Sequence, residues 1–141
     1  MKIALVTDAW HPQVNGVVRT LDTVIRLLRD RGHEILVISP DQYRSIPAPS
    51  YPEIRLAFTR ARTIGRQIEQ FGAEAVHLAT EGPLCVQAGR WCRRNGRPFT
   101  TAYHTQFPEY LAKRTRMSPR VFWPYIRWFH RGSEAIMVST E

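Results

Sequence analysis

Three short stretches carry the residue types that chemistry needs: Asp8 to Gly16, Thr80 to Gly82, and Tyr103 to Thr105. In the first, an Asn15-Gly16 loop runs straight into an apolar-periodic segment that begins at Val17. A helix entered through glycine points free backbone N–H groups outward, and a phosphate can approach them with no Cβ in the way. The same residues also make an ordinary tight strand-to-helix turn. Asp8 reads either as a functional carboxylate at a strand end or as a turn residue. His11 reads as a cleft-lining group or as a partner of Trp10. Glu81 precedes Pro83 and is either a carboxylate on a helix dipole or a holder of sugar-like hydroxyls. His104, between Tyr103 and Thr105, is a hydrogen-bonding or acid–base group, or a satisfied histidine at a strand end.

The other histidines promise less. His77 sits mid-strand in VHL and reads as structural, His33 follows Gly32 as a surface cap, and His130 lies in an aromatic run with no role assigned. There is no D-x-D, H-x-x-x-H or C-x-x-C pattern, so no ligand set for a metal-centred mechanism is expected. There is no G-x-S-x-G hydrolase elbow either.

Several elements must position these groups. Lys2 to Val6 is an aliphatic strand of the kind buried on both faces of a parallel sheet. Val17, Leu21, Val24, Ile25 and Leu28 mark one face of a helix that Gly32 ends. HEILVISP (33–40) is a second strand, and residues 41–52, with three prolines, are expected to be an irregular exposed loop. EIRLAF (53–58) is a third strand, followed by a helix marked by Ile64, Ile68 and Phe71. AEAVHLAT (73–80) is a fourth strand, and Pro83 sits in the first turn of the next helix. RPFTTAYHT (97–105) is a fifth strand. Phe107 to Arg131 is mostly helical, broken at Ser118-Pro119 and kinked or restarted at Pro124, and AIMVST (135–140) is a sixth strand.

Strands alternating with helices predict an α/β fold with a doubly wound, Rossmann-like parallel sheet. Ligands bind at the carboxyl ends of such strands, so the three loaded stretches should converge along one rim.

The chain has 141 residues, 43% hydrophobic and 23% charged, and fits one domain spanning 1–141. No apolar run is long enough to span a bilayer, and the hydrophobic start is a strand rather than a leader. The expected location is therefore cytoplasmic. A formal charge of +8, mostly arginine, favours an acidic partner such as a nucleotide or an anionic membrane surface. The charge is dispersed, so no nucleic-acid arm is expected. RVFWPYIRWFHR (120–131) interleaves arginine with aromatics, which suits a membrane interface or single-stranded nucleic acid, or equally core and domain contacts. The basic stretch at 55–66 is a second membrane-facing candidate beside its plainer reading as a solvated face. Cys85 and Cys92, two helical turns and roughly 10 Å apart, cannot bridge and read as buried thiols.

TDAWHPQVNGVVRTL, YPEIRLAF, VHLATEGPL and YHTQFPEYL together resemble the N-terminal half of family-4 glycosyltransferases. The resemblance is to the branch of GDP-mannose-dependent α-mannosyltransferases and sulfoquinovosyl-diacylglycerol synthases, and it covers nearly the whole chain. It implies one acceptor-side half of a GT-B architecture and a retaining, metal-independent transfer with no cofactor. The donor would be a nucleotide sugar, GDP-mannose or a UDP-sugar, and the acceptor a lipid or saccharide. A peripheral membrane location follows where the acceptor is a lipid. The resemblance assigns Gly16, with Asn15 and Val17, to the donor diphosphate and His104 to the donor sugar near the reacting centre. Arg19, Tyr103, Thr105 and Glu81 fall within the matched motifs as cleft residues, beside Asp8 and His11. The family's C-terminal, nucleotide-gripping domain has no counterpart within these residues, so the chain alone is expected not to turn over. The alternative is a non-catalytic Rossmann-like module that binds a phosphorylated ligand.

Overall fold

The computed structural model describes residues 1–11, 16–48, 51–103 and 123–138. Its centre is β1 (Lys2–Val6), which pairs in parallel with β2 (Glu34–Ile38) on one side and β5 (Ala75–Leu78) on the other. β6 (Thr100–Tyr103) and β7 (Ala135–Val138) extend the sheet, giving the five-stranded order β2-β1-β5-β6-β7. This is the expected Rossmann-like doubly wound sheet.

Alternation along β1 divides the core into two layers, because successive side chains point to opposite faces. Leu5 joins Ile35 and Ala79 beneath Leu21 and Ile25 of α1 (Gly16–Asp30). Ala4 and Val6 face the other way, with Ile38, Val76 and Leu78. That face is covered by α2 (Ala61–Phe71) through Ile64 and Ile68, and by α3 (Pro83–Arg94) through Leu84, Cys85, Ala88 and Cys92. Phe129 of α4 (Trp123–His130) packs into the same layer. α2 approaches α3 at Gly65, where a Cβ would lie 2.0 Å from the Trp91 Nε1. The missing side chain is the notch that seats the indole.

Helix ends follow their sequence signals. α1 stops at Gly32, whose φ of 90° suits glycine, and the His33 amide donates to the Leu28 carbonyl while Gly32 donates to Arg29. α3 starts with Gly82 as its N-cap and Pro83 in the first turn. Cys85 and Cys92 are both free and buried, as expected.

Two expectations need correcting. The described part of residues 41–52 is largely regular: Pro40–Gln42 form one 3-10 turn, and β3 (Ser45–Ala48) pairs antiparallel with β4 (Tyr51–Ala57). Pro47 and Pro52 are tolerated because each strand of a two-stranded ribbon has an outer edge, where a missing N–H breaks no ladder bond. The register also slips between Pro47 and Ala48. Accordingly the third predicted strand (53–58) lies in this ribbon and not in the parallel sheet, which among the described residues has five strands instead of six. Of the predicted helix 107–131, residues 107–122 lie outside the described residues, and α4 begins at Trp123 with Pro124 in its first turn.

Candidate functional site

In a sheet of this order the crossover direction reverses at β1, so a crevice opens between the carboxyl ends of β1 and β5. Thr7 and Asp8 leave β1 there, beside Ala79 and Thr80 leaving β5. The Ala79 amide still donates to the Val6 carbonyl, at 2.9 Å, after the β5 ladder has ended.

Asp8 is the hub of this crevice. Its Oδ2 accepts from the Thr80 hydroxyl (2.8 Å) and the Gly82 amide (2.9 Å), and its Oδ1 accepts from the Leu84 amide (2.8 Å). The Thr80 hydroxyl in turn accepts from the Asp8 amide at 2.7 Å. The carboxylate therefore caps α3, neutralising orphan amides at the positive end of the helix dipole. Gly82 is required by space, not by backbone angle, since a Cβ there would stand 2.4 Å from the Asp8 Cγ. Burial raises the Asp8 carboxyl above its ordinary value, offset in part by the Leu84 amide and the Thr80 hydroxyl. Both Asp8 oxygens are thus engaged by groups of the chain itself.

Glu81 is buried next to this cap. Its backbone carbonyl accepts the Tyr125 hydroxyl from α4. Its Oε1 lies 3.6 Å from the His130 Nε2, with both side chains less than a tenth exposed, and the His130 Nδ1 meets the Thr101 hydroxyl at 2.7 Å. Glu81 Oε2 is buried with no hydrogen-bond partner among the described residues. Burial, helped by the negative charges of Asp8 and Glu81, holds the Tyr125 phenol well above its usual range. The Cys85 thiol, which donates to the Val6 carbonyl, is likewise pushed far up by burial. His130 is the group that sequence reasoning missed. Its signal is its spacing from Ile126 and Phe129, which puts all three on the buried face of α4.

Gly16 opens α1 across the same rim. Among the described residues, a Cβ at Gly16 meets nothing within 4 Å. No acidic residue lies in that turn, and Arg19 is exposed on it. Val17 is half-buried against the α1 layer. His11 is exposed and paired with Asp22 of α1 at 2.7 Å, while its ring meets Trp10 edge-on at 5.0 Å. It staples the loop to the helix. Tyr103 ends β6 opposite Val138. Asn15, His104 and Thr105 lie outside the described residues. The geometry thus brings Asp8, Thr80, Glu81 and Gly82 into direct contact and adds His130 to them.

His77 is structural, pairing across strands with Thr100 at 2.7 Å. In the aromatic run, Ile126 and Phe129 belong to the core, and Trp128 and Tyr125 are about a third exposed. Arg93 of α3 holds this helix in place. One of its nitrogens donates to the carbonyls of Trp128, Phe129 and Arg131, while its guanidinium lies 5.5 Å from the ring centres of Phe99 and Trp128. No helix among the described residues is long and apolar enough to cross a membrane.

The sequence profile of Glycosyltransferase Family 4 matches residues 14–141. Over 93% of its length the chain is 29% identical to a GDP-mannose-dependent α-mannosyltransferase of Mycobacterium tuberculosis, covering 39% of that protein. It is 25% identical to a sulfoquinovosyl transferase of Arabidopsis thaliana, over 90% of this chain and 28% of the relative. It is 27% identical to an α-monoglucosyldiacylglycerol synthase of Streptococcus pneumoniae, over all of this chain and 36% of the relative. The chain therefore spans less than half the length of these curated relatives.

Proposed function

Because the chain belongs to glycosyltransferase family 4, we propose that it is the acceptor-side, Rossmann-like half of a GT-B enzyme. That enzyme moves a hexosyl group, mannose in the first instance, from a nucleotide sugar to a lipid or saccharide acceptor, with retention and without a metal. The observation that carries this reading is the family match, which runs through both stretches that open on the crevice, α1 and Thr80–Gly82. The names of the relatives support GDP-mannose as donor and a diacylglycerol lipid among the acceptors, with a UDP-sugar as the alternative donor.

On this reading the donor diphosphate lies before Gly16, where the opening amides of α1, flanked by Asn15 and Val17, and the Arg19 guanidinium meet its charge. Asp8 and Gly82 contribute by fixing α3 and the Glu81 loop, not by touching the reacting atoms. His104 follows β6 and takes the position nearest the donor sugar, with Tyr103 and Thr105 beside it. The helix end supplies only part of the positive charge that a leaving nucleoside diphosphate needs, so the 141-residue chain alone is inactive. Where the acceptor is a lipid, a charge of +8 supports a peripheral position on the cytoplasmic face of an anionic membrane.

The test is a transfer assay with this chain, alone and joined to its natural downstream sequence. GDP-mannose, UDP-glucose and UDP-sulfoquinovose are each offered with a lipid extract, and His104→Ala is run in parallel. Transfer by the longer protein only, abolished in His104→Ala, is the expected result and names the donor. A folded longer protein that binds nucleotide sugars yet transfers nothing refutes the enzyme reading in favour of a non-catalytic phospholigand-binding module.

A further inference from the structure

Away from the crevice, the outward side of α2 and α3 carries a second concentration of chemistry. Gln87, Arg90 and Arg94 follow one another at helical spacing along the flank of α3 beside its buried Leu84, Ala88 and Trp91. Against them stands the start of α2, with Thr59, Arg60 and Arg62. Together with Ala61, these six line a surface cavity of about 350 Å³ whose lining, among the described residues, includes no carboxylate. Every polar side chain in it can donate a hydrogen bond, and four of the six are guanidinium groups, all exposed.

The backbone adds to the same bias. The first amides of a helix have no partner within it. Arg60, the N-cap of α2, makes no side-chain cap bond, and the first turn holds no acidic residue. The α2 dipole thus adds its positive end to four cations that nothing in the lining neutralises. Four like charges gathered around one cavity repel each other. A single carboxylate would neutralise only one of them. A dianionic phosphate, with three acceptor oxygens, matches several guanidinium forks at once.

We propose that Arg60, Arg62, Arg90 and Arg94 form a phosphate-binding pocket at the α2–α3 junction, separate from the β1–β5 crevice. Its ligand is a phosphate ester, carried either by a lipid headgroup or by a free metabolite. The site stands on its own residues and does not depend on the glycosyl-transfer reading.

The experiment titrates the 141-residue chain with inorganic phosphate at constant ionic strength, following backbone amide and arginine Nε–H resonances. Three variants accompany it: Arg90→Glu with Arg94→Glu, Arg62→Gln alone, and a charge-matched control, Arg26→Glu with Arg31→Glu, on the exposed side of α1 and its end. Far-UV circular dichroism checks that each is folded. Shifts confined to residues 59–62 and 87–94 are expected, with affinity falling by about tenfold or more in the double pocket variant and less in Arg62→Gln. The control should stay within about twofold, since only screened long-range charge is altered there. Equal loss in control and pocket variants, or shifts scattered over the basic surface, overturns the proposal in favour of a net-charge effect. A second arm sediments the chain with vesicles of phosphatidylcholine, with and without phosphatidylglycerol. Retention on the anionic vesicles that is lost only in the pocket variants identifies a lipid headgroup as the source. Phosphate binding without retention identifies a free phosphate ester. Absence of both phosphate binding and vesicle retention overturns the proposal outright.

Discussion

Replacing Asp8 by alanine removes the acceptor of three hydrogen bonds at one stroke. The Thr80 hydroxyl and the Gly82 and Leu84 amides lose their partner, and the Leu84 bond is buried. Hydrogen bonds to a charged group contribute about 1.5–3 kcal/mol each, and loss of an N-cap costs about 1 kcal/mol. The carboxylate's own desolvation is relieved by its removal, and the Gly82 end can recruit water, so the net loss should be about 3 kcal/mol. In urea, with a slope of roughly 2 kcal/mol/M, the midpoint should fall by about 1.5 M. In a thermal scan the same loss amounts to about 9 °C for a domain of this size. A loss below about 1 kcal/mol, with α3 still intact by amide protection, would show that water replaces the cap and would refute the reasoning. The pH dependence has a definite sign. Burial raises the Asp8 carboxyl, so the folded state holds that proton more tightly than the unfolded chain does. The associated stability is complete below about pH 4 and is lost as pH rises through the folded value. Asp8→Asn should abolish that slope, and a profile unchanged by the substitution would exclude Asp8 as its source.

Gly65→Ala drives a methyl group into the Trp91 indole and should cost about 2 kcal/mol or more, with a red shift of tryptophan emission as the ring is displaced. Unchanged stability and emission would mean that α2 and α3 separate more readily than their packing implies. For the buried Glu81–His130 pair, a double-mutant cycle with Glu81→Ala and His130→Ala should give a coupling of about 2 kcal/mol by urea unfolding. Simple additivity would show that the two side chains are neighbours without being partners.

The parts of the fold that can be read directly are those where one force dominates. α1 is set by a single amphipathic stripe bounded by two glycines, and β1 by its aliphatic run. The convergence of Asp8, Thr80 and Gly82 follows from strand order alone, because all strands of a parallel sheet present their carboxyl ends to one side. That Asp8 is bonded across to Leu84, 76 positions away, is beyond reach, since long-range caps leave no local pattern. The β3–β4 ribbon is hidden because three prolines in 41–52 argue against a ladder, and only its two-stranded form tolerates them. His130 is concealed by aromatic neighbours, which mask the helical spacing that turns it toward Glu81.

The strand order also has a consequence for how the molecule is made. Of the five described strands β1 is synthesised before the others, and once β2 has closed one side, β5, β6 and β7 add to the other side in the order in which they leave the ribosome. Each new strand finds its template already standing, so none of the five described strands must be inserted between two others after the fact. The cost of this order falls on β1. Its second edge stays open while residues 39–74 are made, and it closes only when Ala75 arrives to pair with Ile3.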